Sequence, residues 1–230
     1  MNKIVSFKIC PCFQRISALF EAVGVPYQAE FLNLNHIPKW FTDISPNLEP
    51  VLITEDGKSI PNLYPILQYL LEKHKEEISS LDLRYFEEND EWCKLADQQY
   101  INQCVTMRSN DLGAMIEKGK EYIYGLHQME MRLADDKFFQ GDTLSLVDIA
   151  WIPVLHRAAL VKDRTGYDFL DAFPGLQRWQ GELMDTQIPQ NSVSIDFLAV
   201  FEEYYLNSST YLGKLQNKSG RSLHYLCCKE

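Results

Sequence analysis

The chain has 230 residues, 46% of them hydrophobic and 23% charged, which suits one large or two small packed cores and is too apolar for a disordered chain. Its 22 basic against 32 acidic residues leave a net charge of −10, which repels phosphate backbones and argues against nucleic-acid binding through charge. No apolar run approaches a membrane span, and Met1-Asn2-Lys3 leads into the first strand without a charged-then-apolar leader, so the expected setting is cytoplasmic with no membrane partner.

In chain order, residues 3–9 read as a short apolar strand, and residues 13–22 as a helix with Ile16, Leu19, Phe20 and Val23 at three-to-four spacing, stopped by Gly24. A second strand spans 27–34. After an irregular stretch holding Pro38, Trp40 and Phe41 come a strand over 49–54, an Asp56-Gly57 hairpin turn, an edge strand over 59–61 and a helix over 64–74. The order is βαβ–ββα, one unit over 1–76. A mixed-charge segment then leads into a helical unit over 84–206. Its helices are expected at 84–109, at 113–135, from Ser145, after Pro174-Gly175-Leu176, and over 195–206. Ser145-Leu146-Val147-Asp148 reads as a capping box with Asp in place of Glu. Residues 207–230 are polar and weakly patterned, a tail expected to be loosely held.

Cys10 carries the most chemical information, because it sits where the first strand gives way through Pro11 to the first helix. A thiol there faces unpaired backbone N–H groups and the positive end of a helix dipole, both of which favour thiolate over thiol. The six cysteines, at 10, 12, 93, 104, 227 and 228, do not form the framework of a small secreted domain and are expected to be reduced. Cys10 and Cys12 make C-x-C rather than the C-x-x-C of dithiol redox proteins, and nothing nearby completes a zinc site, so no metal is expected. Arg15 is open to two readings, a salt bridge within the fold or support for the thiolate. The five histidines are scattered, and the acidic run at 87–91 reads as a solvated helix face.

These residues carry a family resemblance. A thioredoxin-like βαβ–ββα domain followed by an all-helical domain, α/β plus all-α, resembles the cytosolic glutathione transferase fold over residues 1–205. Cys10-Pro11-Cys12-Phe13-Gln14-Arg15 is similar to the C-P-F-x-x-R segment of the omega and dehydroascorbate-reductase branches, whose nucleophile is Cys. The stretches at 32–34 and 38–41, and Gly141-Asp142 with Ser145 to Asp148, resemble further family segments. Glu49-Pro50-Val51-Leu52 resembles the family turn whose proline is cis, a geometry that would present the Glu49 backbone to the cysteinyl backbone of an extended tripeptide. The resemblance implies glutathione as co-substrate, Cys10 as the catalytic thiol, a glutathione site comprising Cys10, Phe13, Glu49, Pro50, Asn62 and Leu63, and a homodimer.

Two positions depart from the pattern. Asn62-Leu63 stands where relatives place an acidic or amide residue followed by a hydroxyl against the γ-glutamyl group, and Ile37 replaces the omega-class Lys that meets the glycyl carboxylate. Asn62 is expected to cap its helix and present its amide. Two functions follow: glutathione-dependent thiol transfer or reduction of a small disulfide or electrophilic acceptor, for which Cys12 is not required although it could resolve the mixed disulfide through a strained ring; or a non-catalytic partner-binding protein with an eroded glutathione site, similar to the stringent starvation proteins.

Overall fold

The computed structural model describes residues 1–83 and 89–216. β1 (Asn2–Ser6) is apolar on both faces and becomes a central strand. It runs parallel to β2 (Tyr27–Phe31), and α1 (Pro11–Val23) is the crossover between them. After α2 (Lys39–Ile44), β3 (Val51–Ile53) pairs antiparallel with β1, and β4 (Ser59–Pro61) with β3, giving the order β2-β1-β3-β4. Gly57, at φ 84°, makes the β3–β4 turn, a conformation with no cost for glycine. α3 (Leu63–Lys73) closes this layer and α4 (Lys75–Ile78) leads out of it.

The second unit is helical: α5 (Asp90–Met107), α6 (Leu112–Arg132), α7 (Leu146–Thr165), α8 (Pro174–Asp185), α9 (Ile188–Asn191), α10 (Phe197–Tyr205) and α11 (Tyr211–Gln216). α7 is its axis. Ala150, Trp151, Ile152, Val154 and Leu155 are each wholly buried, so this helix is apolar around its circumference and has neighbours on every side. The expected capping box is present. Ser145 Oγ accepts from Asp148 N at 3.3 Å, and Asp148 Oδ2 accepts from Ser145 N at 2.8 Å. The same carboxylate accepts from Phe139 N at 3.0 Å and Trp179 Nε1 at 2.6 Å, so one buried Asp ties the start of α7 to the preceding loop and to α8.

Three expectations change. α5 starts at Asp90, and residues 84–88, which carry the expected start at Arg84 and part of the acidic run, lie outside the described residues. The segment after Asn207 begins as packed structure rather than a loose tail: Leu212 on α11 is wholly buried, and a Cβ at Gly213 would lie 2.0 Å from the Asn207 carbonyl oxygen. Residues 217–230 lie outside the described residues. The peptide bond before Pro50 is trans, like every other bond among the described residues. The chain turns one residue earlier instead, at Leu48 with φ 59°, and the Glu49 carbonyl accepts from Ser45 Oγ at 3.0 Å.

The two units meet along α1. Gln14 Nε2 donates to His156 Nδ1 at 2.8 Å, its Oε1 accepts from Arg157, and Arg157 Nη2 donates to the Ile9 carbonyl at 3.3 Å. Ser17 Oγ donates to the Ser192 carbonyl at 2.6 Å. Burial pushes His156 down to about 3, and the adjacent Arg157 charge adds to this, so the ring is neutral and its Nδ1 is an acceptor.

Because Asp148 holds four donors in the core, Asp148→Ala is expected to lower stability by about 3–5 kcal/mol, whereas Ser145→Ala costs about 1 kcal/mol. Urea unfolding of both variants checks this; an Asp148→Ala loss no larger than that of Ser145→Ala would contradict it.

Candidate functional site

Cys10 is the N-cap of α1, with φ −73° and ψ 121°, and Pro11 occupies the first helical position, where a missing N–H has no cost. The Cys10 N–H donates to Phe7 O at 3.0 Å and its carbonyl accepts from Gln14 N at 3.2 Å, which fixes the turn. The Cys12 thiol acts most strongly on the Cys10 sulfur by hydrogen bonding to the thiolate. Burial opposes ionisation, while the Phe13 N–H, the Ser6 hydroxyl and the Cys12 N–H add further donors. The balance brings Cys10 from 9.0 down to about 7. Cys12 moves the other way, pushed far up by its bond to Cys10, by burial and by the charges of Cys10, Asp97 and Glu49, so the proton of the pair resides on Cys12.

The buried Ser6 hydroxyl has no hydrogen-bond partner among the described residues and is one of the groups that favour the Cys10 thiolate. The sequence reading missed this residue because a serine ending a strand has no distinguishing pattern.

The remaining predicted site residues divide. Phe13 is core: its ring is 2% exposed and meets Phe31 edge-on at 4.9 Å, so only its N–H faces the thiolate. Ile37 packs with the small cluster of Val5, Phe7, Phe41 and Val51, which Cys10 and Leu48 also touch. Arg15 is committed to a salt bridge, with Nη1 2.6 Å from Asp97 Oδ1 and its guanidinium 5.9 Å from the Tyr64 ring centroid. The Leu63 side chain is buried in the main core, so this residue presents its N–H and not its side chain.

Asn62 takes a left-handed φ of 71° with ψ 151° and makes no side-chain cap bond; its N–H donates to Pro50 O at 3.0 Å. The cap comes from elsewhere. Glu49 Oε2 accepts the Leu63 N–H at 3.0 Å, so a carboxylate from the β3 approach sits on the first turn of α3. The β1–β3 register pairs Val5 with Val51, which sets Pro50 opposite Ser6 and puts Glu49 at the sheet end that carries Cys10.

A cavity of about 230 Å³ lies between α1, α3, α5 and α7, lined by Arg15, Leu19, Tyr64, Leu67, Cys93 and Ile149 among others; Cys10 is not on its wall. Among the described residues, no group of three or more His, Cys, Asp or Glu is placed to hold a metal ion. No helix among them is long and apolar enough to cross a membrane.

Comparison with known proteins places these features. The glutathione S-transferase N-terminal domain model matches residues 9–73 and the C-terminal domain model residues 125–179, together about half of the chain. Glutathione S-transferase omega-1 of Rattus norvegicus is 23% identical over 197 residues, 81% of this chain and 78% of that one. Glutathione S-transferase DHAR2 of Arabidopsis thaliana is 23% identical over 147 residues, covering 64% of this chain and 66% of that one. Pyrimidodiazepine synthase of Drosophila melanogaster is 26% identical over 191 residues, 77% and 74% of the two chains. The fold is shared with glutathione transferase Omega 3C from Trametes versicolor, at 20% identity over 84% of this chain and 89% of that one, with a TM-score of 0.69. A rice transferase solved with glutathione is 20% identical over 96% and 98% of the chains, with a TM-score of 0.72.

If the Cys12 thiol is the leading donor to Cys10, alkylation of Cys10 by iodoacetamide rises through pH 7 in the native chain. In Cys12→Ala the midpoint moves up toward the ordinary thiol value, and in Cys12→Ser, which keeps a donor, it moves less. Mass spectrometry of the Cys10 peptide across pH reads the midpoints; equal midpoints in all three would contradict the assignment.

Proposed function

Because the chain belongs to the glutathione S-transferase family, we propose that it is a glutathione-dependent thiol transferase with Cys10 as nucleophile. The observation that carries this reading is the Cys10 thiol at the mouth of α1, with donors on several sides and an ionisation near 7. The likeness to glutathione S-transferase omega-1 and glutathione S-transferase DHAR2 supports glutathione chemistry, which the proposal extends to this chain.

In the proposed cycle the Cys10 thiolate attacks one sulfur of a small disulfide. A Cys10 mixed disulfide forms, the old S–S bond breaks, and the other half leaves as a thiolate that takes a proton from water. A glutathione thiolate then attacks the mixed disulfide and returns Cys10 as thiolate, with the two small thiols joined. One disulfide is consumed and one is formed in each full exchange. An electrophilic acceptor that can be reduced by two electrons is a second substrate class. It adds to the Cys10 thiolate, a glutathione thiolate attacks the sulfur of that adduct, the acceptor leaves reduced and takes a proton, and a second glutathione returns Cys10 as thiolate with release of glutathione disulfide. We place the activity in a reducing cytoplasm, in a homodimer. The pairing is supported by exposed apolar side chains on adjacent helices: Ile101 and Val105 on α5, with Ile116 and Met131 on α6.

A second reading, a non-catalytic binding protein, is favoured by one specific observation: the α3 first turn, where glutathione carboxylates are expected in this family, is already met by Glu49. Two measurements separate the readings. Native protein is expected to reduce a glutathione mixed disulfide at a rate lost at least a hundredfold in Cys10→Ser, and to be weakly retained on immobilised glutathione. Equal rates in the native chain and Cys10→Ser, with no retention, would favour the binding module.

A further inference from the structure

Resting on the reading of Cys10 as nucleophile, the site's second polar feature is the Glu49 carboxylate. α3 begins Leu63-Tyr64-Pro65, so proline removes a donor from the first turn, and the Ile66 N–H already bonds to Asn62 O at 3.3 Å. Leu63 and Tyr64 are left to serve an anion there, and Glu49 takes the Leu63 N–H at 3.0 Å. A ligand carboxylate entering this turn would face a carboxylate already seated, across a short distance and with half of the donors gone.

Glu49 also has no cationic partner among the described residues. The nearby Asp97 charge is compensated by Arg15, whereas Glu49 is half-buried and makes only the bond to the Leu63 N–H. The geometry supporting its nearness to the thiols is the shared cluster, where Leu48 and Cys10 pack on the same Val5, Phe7, Phe41 and Val51 side chains. The field of Glu49 on Cys12 agrees with that placement. A half-buried carboxylate at the sheet end that carries the nucleophilic sulfur, with no cationic partner among the described residues, is complementary to a ligand that brings its own cation.

We infer that Glu49 is a specificity-determining residue that converts this end of the site from a carboxylate seat into an ammonium seat, so that the favoured acceptors are disulfides of small aminothiols lacking a carboxylate beside the amine. Glutathione, with an ammonium and a carboxylate on the same carbon, is then attracted and repelled at once and serves as a weakly held reductant.

The test compares rates of Cys10 mixed-disulfide formation with three reagents at pH 7 and 150 mM salt: cystamine, its neutral relative N,N′-diacetylcystamine, and glutathione disulfide. Each is run on the full native chain and on Glu49→Gln, whose side-chain carbonyl can still accept the Leu63 N–H, and adducts are counted by mass spectrometry. Dividing native by variant ratios cancels the intrinsic reactivity of the leaving thiols. The cystamine-to-diacetylcystamine ratio is expected to fall about fivefold in Glu49→Gln, and the glutathione-disulfide-to-diacetylcystamine ratio to rise by about as much. Ratios unchanged within about 1.5-fold would overturn the inference while leaving Cys10 as nucleophile, and would assign any preference for cystamine to the overall charge. Adducts on Cys10 with none of the reagents would overturn the nucleophile reading and this inference with it. Should Glu49→Gln fail to fold, native cystamine and glutathione disulfide rates that respond identically to salt between 50 and 500 mM would overturn it, since a local ammonium seat screens oppositely for the two.

Discussion

The Arg157 guanidinium holds the site to the rest of the molecule. It is 1% exposed and reaches from α7 across the domain boundary to the Gln14 carboxamide and the Ile9 carbonyl, the residue before Cys10. Taking a charge out of water costs several kcal/mol unless hydrogen bonds replace the lost solvation; here three acceptors meet Nη1 and Nη2, Pro153 O among them at 3.1 Å, while the buried Nε has no partner among the described residues. Gln14 cannot swing away, because its amide nitrogen is engaged by the neutral His156 ring. The β1–α1 turn is therefore clamped from the helical domain, and α7 is itself fixed at its start by Asp148. A disturbance of the α7 start reaches Cys10 through two buried polar clusters and one helix.

That clamp matters because the ionisation of Cys10 contributes less to rate than it first suggests. Lowering a thiol from 9.0 to about 7 raises its thiolate fraction at pH 7.4 from a few per cent to roughly 70%, about thirtyfold. Intrinsic nucleophilicity falls with basicity at a Brønsted slope of about 0.4–0.5, which removes about six- to tenfold over the same interval. The net gain is about three- to fivefold. For the thiol transfer proposed here, positioning of the acceptor sulfur against Cys10 has to supply the remainder of the acceleration. The residues that hold the acceptor then outweigh the donors around the thiolate.

The sequence made the local features legible and left the long-range ones hidden. The Asp56-Gly57 turn and the Ser145–Asp148 box are each defined by residues within a few positions of one another and form as expected; Pro11 opens α1 behind Cys10, but the strand expected to reach Ile9 ends at Ser6, and a turn closed by the Cys10 N–H on Phe7 O joins it to the helix. The Gln14–His156–Arg157 cluster spans more than 140 residues, and no periodicity in a single sequence announces a glutamine that fits a distant histidine. α11 escaped because six residues are too few to show a helical stripe, although Leu212 and the close approach at Gly213 make it part of the core. The resemblance implies a cis Pro50; with the turn made at Leu48 and the Glu49 carbonyl bonded to Ser45, the trans form, favoured by about 0.5–1 kcal/mol in the absence of other constraints, is the one adopted.

Glu49 lies between these two cases. Its bond to Leu63 spans fourteen residues, but signals for it were present: a leucine in place of a hydroxyl, a proline two positions later, and a carboxylate immediately before Pro50. Read separately, these are losses from a glutathione site. Taken together they describe a consistent exchange, because removing a hydroxyl and an N–H makes room for one protein carboxylate to complete the helix start without a ligand. An anion seat completed by the protein's own anion has its sign reversed toward whatever approaches next. On the inference drawn above, the same substitutions would disfavour a ligand carboxylate at this turn and favour an acceptor that brings positive charge.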